Sequence, residues 1–326
     1  AMKNLVTNQE TPISVYPLNI TPISAKIKTM FVDKNLPGRV YTFASGNSGN
    51  KINMSDDYGV TESPLYTANA NLFLAAETDP NNPNIAWLAT RAARAVLTKS
   101  NFTDRSNPVN EVITLPYNQD FLRGIKFVQN RSNEILITVG NQIFKTYDGG
   151  LTWTRITAGL EELTLPSIAI SLTQNPLNAN QFTIAASNGI YTSLDAGNTW
   201  TKIYSGMITS VEHSTKKNGQ IVGIGASSGT TLPKVVFSNN GGSTWEERTS
   251  SNYYNTLVIS GTARFINDTT VEVYLATNSL GILKDVITFG TLATSNENIL
   301  DDDISIYPNP TNDIVNVKSN GKDFKY

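Results

Sequence analysis

The sequence predicts an all-β fold: a six-bladed β-propeller of four-stranded blades, with seven blades as the alternative. Three observations predict it. First, a box of the form Ser/Thr-x-Asp-x-Gly-x-Thr-Trp recurs at 146–153, 193–200 and 238–245, and in weaker form at 55–62. The starts are 91, 47 and 45 residues apart. The two short gaps fit the period of about 40–50 residues that a propeller blade needs, and the long gap is about two such periods. Second, each unit carries two apolar segments separated by a polar turn upstream of the box. Third, long helical patterns are missing, and only Glu161 to Leu165 reads as a helical turn.

Composition agrees and excludes several functions. The chain has 326 residues, 39% of them apolar, which is enough for a large core. Only 16% are charged, against about 25% in ordinary domains. Asn, Gly, Ser and Thr are frequent, as expected for short strands joined by tight turns. The formal net charge of −2 offers no basic excess for phosphates, so nucleic acid is not an expected partner. No apolar run approaches the roughly 18 residues of a transmembrane segment. There is no cysteine, and His213 is the single histidine, which leaves no thiolate zinc site and no His-rich metal site. No phosphate-cradling Gly-rich loop leads into a helix. Neither a metal nor a cofactor is expected.

The units follow in chain order. Ala1-Met2 reads as an expression scar, and residues 3–293 as the propeller. The paired apolar segments fall at Ile27 to Ala44, Leu72 to Thr90, Gly124 to Val139, Ile168 to Ala186, Ile208 to Ile224 and Ala263 to Ala276. Each unit reads strand a, turn, strand b, loop, strand c, box, strand d. A degenerate box is due near residue 100, where Leu97-Thr-Lys-Ser100 stands. The sixth unit lacks a clear strand d. Ile13–Tyr16 is expected to supply it, with Val286 to Phe289 as the competing choice. Residues 294–303 form an acidic linker. The triple Asp there lacks the spacing and turn glycine of a calcium loop.

The boxes resemble the Asp-box (bacterial neuraminidase repeat) motif of sialidase-like β-propellers. The resemblance implies a structural role for Asp57, Asp148, Gly150, Trp153, Asp195, Gly197, Trp200, Asn240, Gly242 and Trp245. Asp148 and Asp195 are expected to accept backbone amide hydrogen bonds across the turn between strands c and d. The tryptophans are expected to begin strand d and bury their rings against a neighbouring blade or strand. In the family this turn lies on the rim, away from the ligand face.

The C-terminus carries a second resemblance. Ile304 to Val317, with its core Tyr307-Pro308-Asn309-Pro310, is similar to the start of the C-terminal sorting domain of type IX secretion cargo. Residues 304–326 cover the first strands of that small β-sandwich. The family's later Gly-rich segment and basic tail are missing here. The resemblance implies the type IX secretion machinery as a partner and a secreted or outer-surface location on a Gram-negative bacterium.

Propeller ligands gather where b–c and d–a loops meet the central channel. The b–c loops include Arg91 to Arg94, about two residues longer than those of units three and four. Arg91 and Arg94 could bind a carboxylate or sulfate bidentately. The d–a loops are placed at Asn107 to Asp120, Ala158 to Thr164 and Thr249 to Asn255. Tyr117, Tyr204, Tyr253 and Tyr254 lie on or near them, positioned to stack on sugars, and Tyr117 and Tyr254 join the arginines as candidate ligand residues. A glycoside hydrolase needs two carboxylates roughly 5 Å apart for retention or 6.5–9.5 Å for inversion, and the loop candidates are Asp120, Glu161 and Glu162. Sialidase chemistry is not expected: the Phe-Arg-Ile-Pro motif is absent, and few of the nine arginines are placed at the channel. The leading expectation is a secreted or surface propeller that binds a glycan or protein partner, or serves as a scaffold. The alternative is a glycoside hydrolase or part of one.

Overall fold

The computed structural model describes residues 2–3, 10–11, 25–33, 36–46, 49–115, 121–131, 133–226, 232–248, 258–277, 282–290, 304–307, 316–319 and 322–325. No helix occurs among the described residues. Ala1–Ile287 form one compact unit, and Thr288–Tyr326 form a second. In the second, strands Ile304–Tyr307, Asn316–Ser319 and Lys322–Lys325 pair antiparallel.

Besides a short antiparallel pair, Met2–Lys3 with Glu10–Thr11, the described residues of the first unit form a β-propeller of six successive antiparallel sheets, each made of consecutive strands in chain order. Blade 1 is Ala25–Val32, Val40–Gly46, Gly49–Ser55 and Ser63–Ala68. Blade 2 is Leu72–Thr78, Ile85–Arg91, Ala95–Asn101 and Val109–Ile113. Blade 3 is Leu122–Phe127, Ile135–Val139, Gln142–Thr146 and Thr154–Ile156. Blade 4 is Ala169–Asn175, Asn178–Ala186, Gly189–Ser193 and Thr201–Ser205. Blade 5 is Ile208–His213, Ile221–Ala226, Pro233–Ser238 and Glu246–Arg248. Blade 6 shows three strands among the described residues, Val258–Phe265, Thr270–Thr277 and Ile282–Thr288.

The core lies between blades. Leu136 and Ile143 of blade 3 pack with Phe182, Ile184 and Tyr191 of blade 4. Trp87 and Leu97 of blade 2 pack with Ile125 and Ile137 of blade 3. Blades 1 and 2 meet through Phe43, Met54 and Leu88. Blades 4 and 5 meet through Ile190 and Val236. This follows from the central strands, which are buried almost throughout.

Box turns form the outer joints. In blade 3, Asp148 Oδ1 accepts from Thr152 N at 2.8 Å, and Thr146 Oγ1 accepts from Gly150 N at 2.9 Å. Blade 4 repeats this with Asp195, Thr199, Ser193 and Gly197. In blade 1 the weaker copy has the same bonds through Asp57, Thr61, Ser55 and Gly59. Blade 5 keeps the pattern with Asn240, whose amide donates to Thr244 Oγ1 at 2.8 Å where an Asp would accept. Gly150, Gly197 and Gly242 have φ of +94°, +85° and +89°, and they face Trp87, Leu136 and Ile203 of the preceding blade. A Cβ on Gly197 would lie 2.1 Å from Leu136 Cδ2, so both the conformation and the contact require glycine. The tryptophans seal the same joints. Trp153 meets Trp87 edge-on at 6.4 Å, and Trp200 is buried. Trp245 Nε1 donates to Ile203 O at 2.8 Å. Each tryptophan stands one residue before strand d rather than within it.

The structure departs from the sequence expectations at several places. Val286 to Thr288 belong to the third strand of blade 6 rather than to a separate fourth one, and among the described residues that third strand is the edge of the sheet. Ile13–Tyr16 lies outside the described residues. Val109–Ile113 is the outer strand of blade 2, so Asn107 to Asp120 is not one loop. Leu97–Ser100 sits inside strand c, and the turn comes later, held by Asn101 Oδ1 accepting from Thr103 N at 3.1 Å. Glu161 to Leu165 makes turns but no helix.

Candidate functional site

The innermost strands lie against one another in chain order from blade 1 to blade 6. Each carries a register shift near its start, at Ile27/Thr29, Phe73/Ala75, Leu122/Gly124, Ala169/Ser171, Ile208/Ser210 and Val258/Ser260. Such a bulge leaves one residue unpaired and re-aims the side chains beside it. The residue just past it is small in every blade: Thr29, Ala75, Gly124, Ser171, Ser210 and Ser260. Two positions further stand Phe31, Glu77, Lys126, Thr173, Glu212 and Thr262, so that level is polar in all blades but the first.

These levels surround a cavity of about 190 Å³ lined by the innermost strands of blades 1 to 5. Its polar wall includes Lys126, Ser171, Thr173, Ser210 and Glu212. Glu77 pairs with Lys126 across blades 2 and 3, with both side chains largely buried. Thr262 Oγ1 donates to Glu212 Oε1 at 3.3 Å, joining blades 6 and 5. Ser210 Oγ donates to Gly261 O at 3.0 Å.

Arg123 is the unpaired residue of the blade 3 bulge, and it also lines the cavity. Its guanidinium carbon lies 4.9 Å from the centre of the Phe121 ring, and that of Arg91 lies 4.2 Å from the same ring. Arg123 Nε is buried without a hydrogen-bond partner. Burial lowers its pKa, and no neighbouring charge or hydrogen bond offsets this. Arg39 makes the contrast. Burial is again the largest influence on it and lowers its pKa, but the hydrogen bond to Asp56 and the nearby charges outweigh burial and raise the pKa overall.

The residues predicted from sequence are only partly brought together. Arg91 ends strand b of blade 2, half-buried against Phe121. Arg94 is exposed in the hairpin and does not line the cavity. Arg91 pairs with Ala95, leaving three loop residues where blades 3 and 4 leave two, so this loop is longer by one residue rather than two. Glu161 Oε1 accepts from Gly159 N at 3.1 Å, and Glu162 pairs with Lys202 at 2.7 Å. Neither glutamate lines the cavity. Tyr204 donates to Glu247 Oε1 at 2.5 Å and accepts from Lys234 Nζ at 2.7 Å, so it is held in the joint between blades 4 and 5. His213 is buried, with Nε2 2.8 Å from Thr183 Oγ1. Tyr117, Asp120, Tyr253, Tyr254 and Pro308–Pro310 lie outside the described residues, as does the side chain of Tyr307. Among the described residues no group of three His, Cys, Asp or Glu could hold a metal, and no helix is long and apolar enough to cross a membrane.

Sequence reasoning placed the site on loops and missed the channel wall. One signal was available. Glu77 and Lys126 are charges inside strand a segments, and they are one repeat apart.

No family model matches the chain, and no curated protein matches it. Solved structures do. A GH74 enzyme from Niastella koreensis aligns with a TM-score of 0.62 at 19% identity, over 79% of this chain and 46% of that one. An ancestral GH74 enzyme aligns with a TM-score of 0.62 at 17% identity, over 82% and 37%. The chain thus spans less than half the length of the GH74 chains it matches. YCF48 bound to D1 peptide aligns with a TM-score of 0.55 at 16% identity, over 94% and 93%. The extracellular domain of a one-component system from B. thetaiotaomicron aligns with a TM-score of 0.54 at 10% identity, over 93% and 38%. At these identities the shared property is the fold: the chain is a β-propeller.

Proposed function

We propose that this propeller is a secreted or cell-surface module that binds a glycan at its central channel. One observation carries the reading. The axial cavity is lined by hydroxyl, carboxylate and ammonium groups on four consecutive innermost strands, those of blades 2 to 5. Rigid strands present these groups at fixed spacing, and sugars are recognised by such groups. The GH74 and extracellular-domain neighbours support the same reading. The Tyr307 to Pro310 motif supports export through a type IX pathway, with residues 304–326 as the sorting element and residues 3–293 as the exported propeller. The boxes support placement among Asp-box repeat propellers.

A polysaccharide panel, scored for retention on affinity gels and for reducing-end release, tests the reading. Retention without release is expected, with Glu212→Gln weakening it. No retention of any glycan would overturn it. A second reading is favoured by the GH74 neighbours: the chain as one part of a glycoside hydrolase. Reducing-end release that disappears in Glu212→Gln would establish that reading instead.

A further inference from the structure

We propose that Arg123 binds the carboxylate of an acidic sugar, so that the glycan entering the channel carries uronic acid. The inference rests on the glycan reading above and narrows it to one ligand class.

Five other arginines among the described residues have acidic partners: Arg39 and Arg105 share Asp56, Arg131 meets Glu134, Arg248 meets Asp285 and Arg264 meets Glu272. Arg123 has none, although it is half-buried and one of its nitrogens is shut away from water. Leaving a desolvated cation uncompensated costs stability. Such a cost persists where function requires it.

Position gives the cost a purpose. The bulge between Leu122 and Gly124 aims Arg123 at the cavity rather than into a blade joint. Phe121 supports the guanidinium from one side, which restricts its orientation before any ligand arrives. A planar guanidinium held this way suits a carboxylate, which it can bind through two parallel bonds. Ser171, on the adjacent innermost strand, lines the same cavity, and its hydroxyl also has no partner. The other charged groups on the wall are Glu77, Lys126 and Glu212. Glu77 is neutralised by Lys126, and Glu212 accepts from Thr262. The cavity of about 190 Å³ is smaller than the roughly 300–1,000 Å³ of sites that engulf a drug-sized ligand. It suits one terminal sugar rather than a chain threaded through the axis.

The test uses the full chain on affinity gels of polygalacturonate and of its fully methyl-esterified form. Esterification removes the charge and keeps the polymer. Wild type is expected to be retained by the acid form only, and less as salt rises. Arg123→Gln should weaken retention by about ten- to a hundredfold, the range for losing a charge-assisted bond. Arg123→Lys, which keeps the charge but loses the fork, should fall between. The melting temperature of Arg123→Gln should be unchanged or higher, because an uncompensated buried charge has been removed. A variant that melts earlier yet is retained normally would make Arg123 a structural residue and overturn the proposal. Equal retention by the esterified polymer would overturn it while leaving the glycan reading standing. If no glycan is retained but polyglutamate is, in an Arg123-dependent way, the ligand is an acidic peptide and both readings fall.

Discussion

At the rim of this propeller the box carboxylates are fully bonded, whereas on the channel wall two polar side chains keep an unpartnered buried atom. At the rim, each box carboxylate is saturated. Asp195 accepts from Asn198 N, Thr199 N, Thr199 Oγ1 and Ser193 Oγ. The fully buried Lys145 reaches across a joint to Ala196 O at 2.9 Å and also pairs with Glu134 at 2.9 Å. In the channel, Arg123 Nε and Ser171 Oγ are buried without partners. Buried polar groups in native proteins are nearly always bonded; Trp153 Nε1 at the rim is a further exception, but Arg123 and Ser171 stand on one cavity wall, where a ligand can reach them. The rim holds blades together. The channel is left incomplete.

If that division is right, damage to the rim should cost stability and spare ligand retention. The largest effect is expected from Trp200→Ala. This ring is buried in the cluster shared by blades 3 and 4, and its Nε1 donates to Gly197 O at 3.2 Å. Truncation should cost about 3–5 kcal/mol, as for other large aromatic deletions. Chemical denaturation measures the loss, and retention measured well below the melting temperature should stay near wild type. Loss of retention in a folded variant would breach the division. Asp195→Ala should cost less, about 1 kcal/mol, because the side chain is exposed and water replaces some of its bonds.

The acid side of the stability profile sharpens the comparison. Asp57 and Asp148 are held at a pKa of about 2, first by the Thr61 and Thr152 hydroxyls and then by the backbone amides of those residues. Asp195 is also lowered. Burial is its largest influence and acts upward, but the Thr199 amide and hydroxyl outweigh it. A carboxyl with a depressed folded pKa stabilises fully above its ordinary value, near 3.9. That contribution fades as pH falls toward about 2. Asn240 shows that the turn also closes with an amide. Replacing Asp57, Asp148 and Asp195 by Asn should therefore flatten acid unfolding between about pH 4 and pH 2. Melting curves across that window would test this, and an unchanged acid limb would show that other carboxylates control it.

The rim was legible in the sequence because its chemistry is local. A hydroxyl, a carboxylate and a glycine four residues apart close one turn, so Thr146, Asp148 and Gly150 announce it wherever they recur. Blade count was legible for the same reason, since the period repeats a local pattern. The channel was not. Glu77, Lys126, Ser171 and Glu212 come from four blades, and nothing in any single segment says that they share a wall. Arg123 was hidden further, because only the bulge beside Gly124 turns it toward the axis. The outer strand at Val109–Ile113 was missed because Val109 and Val112 are exposed while Asn110 and Glu111 are polar. No alternation marks such an edge. Arg91 and Arg94 were singled out together for spacing, yet one packs on a ring and the other faces solvent.

Arg94 gives the smallest expected effect and the sharpest control. It carries the same charge as Arg123 and stands close in sequence to Arg91, but it is exposed and does not touch the cavity wall. Surface substitutions of this kind shift stability by less than about 0.5 kcal/mol. Arg94→Ala should therefore leave both melting temperature and retention on polygalacturonate unchanged. Its only expected trace is a slightly shallower salt dependence, since one fewer cation contributes to the long-range field. If Arg94→Ala instead weakened retention as much as Arg123→Gln, net positive charge on that face would explain binding. The distinction between a desolvated cation at a bulge and a hydrated one on a loop would then carry no functional meaning.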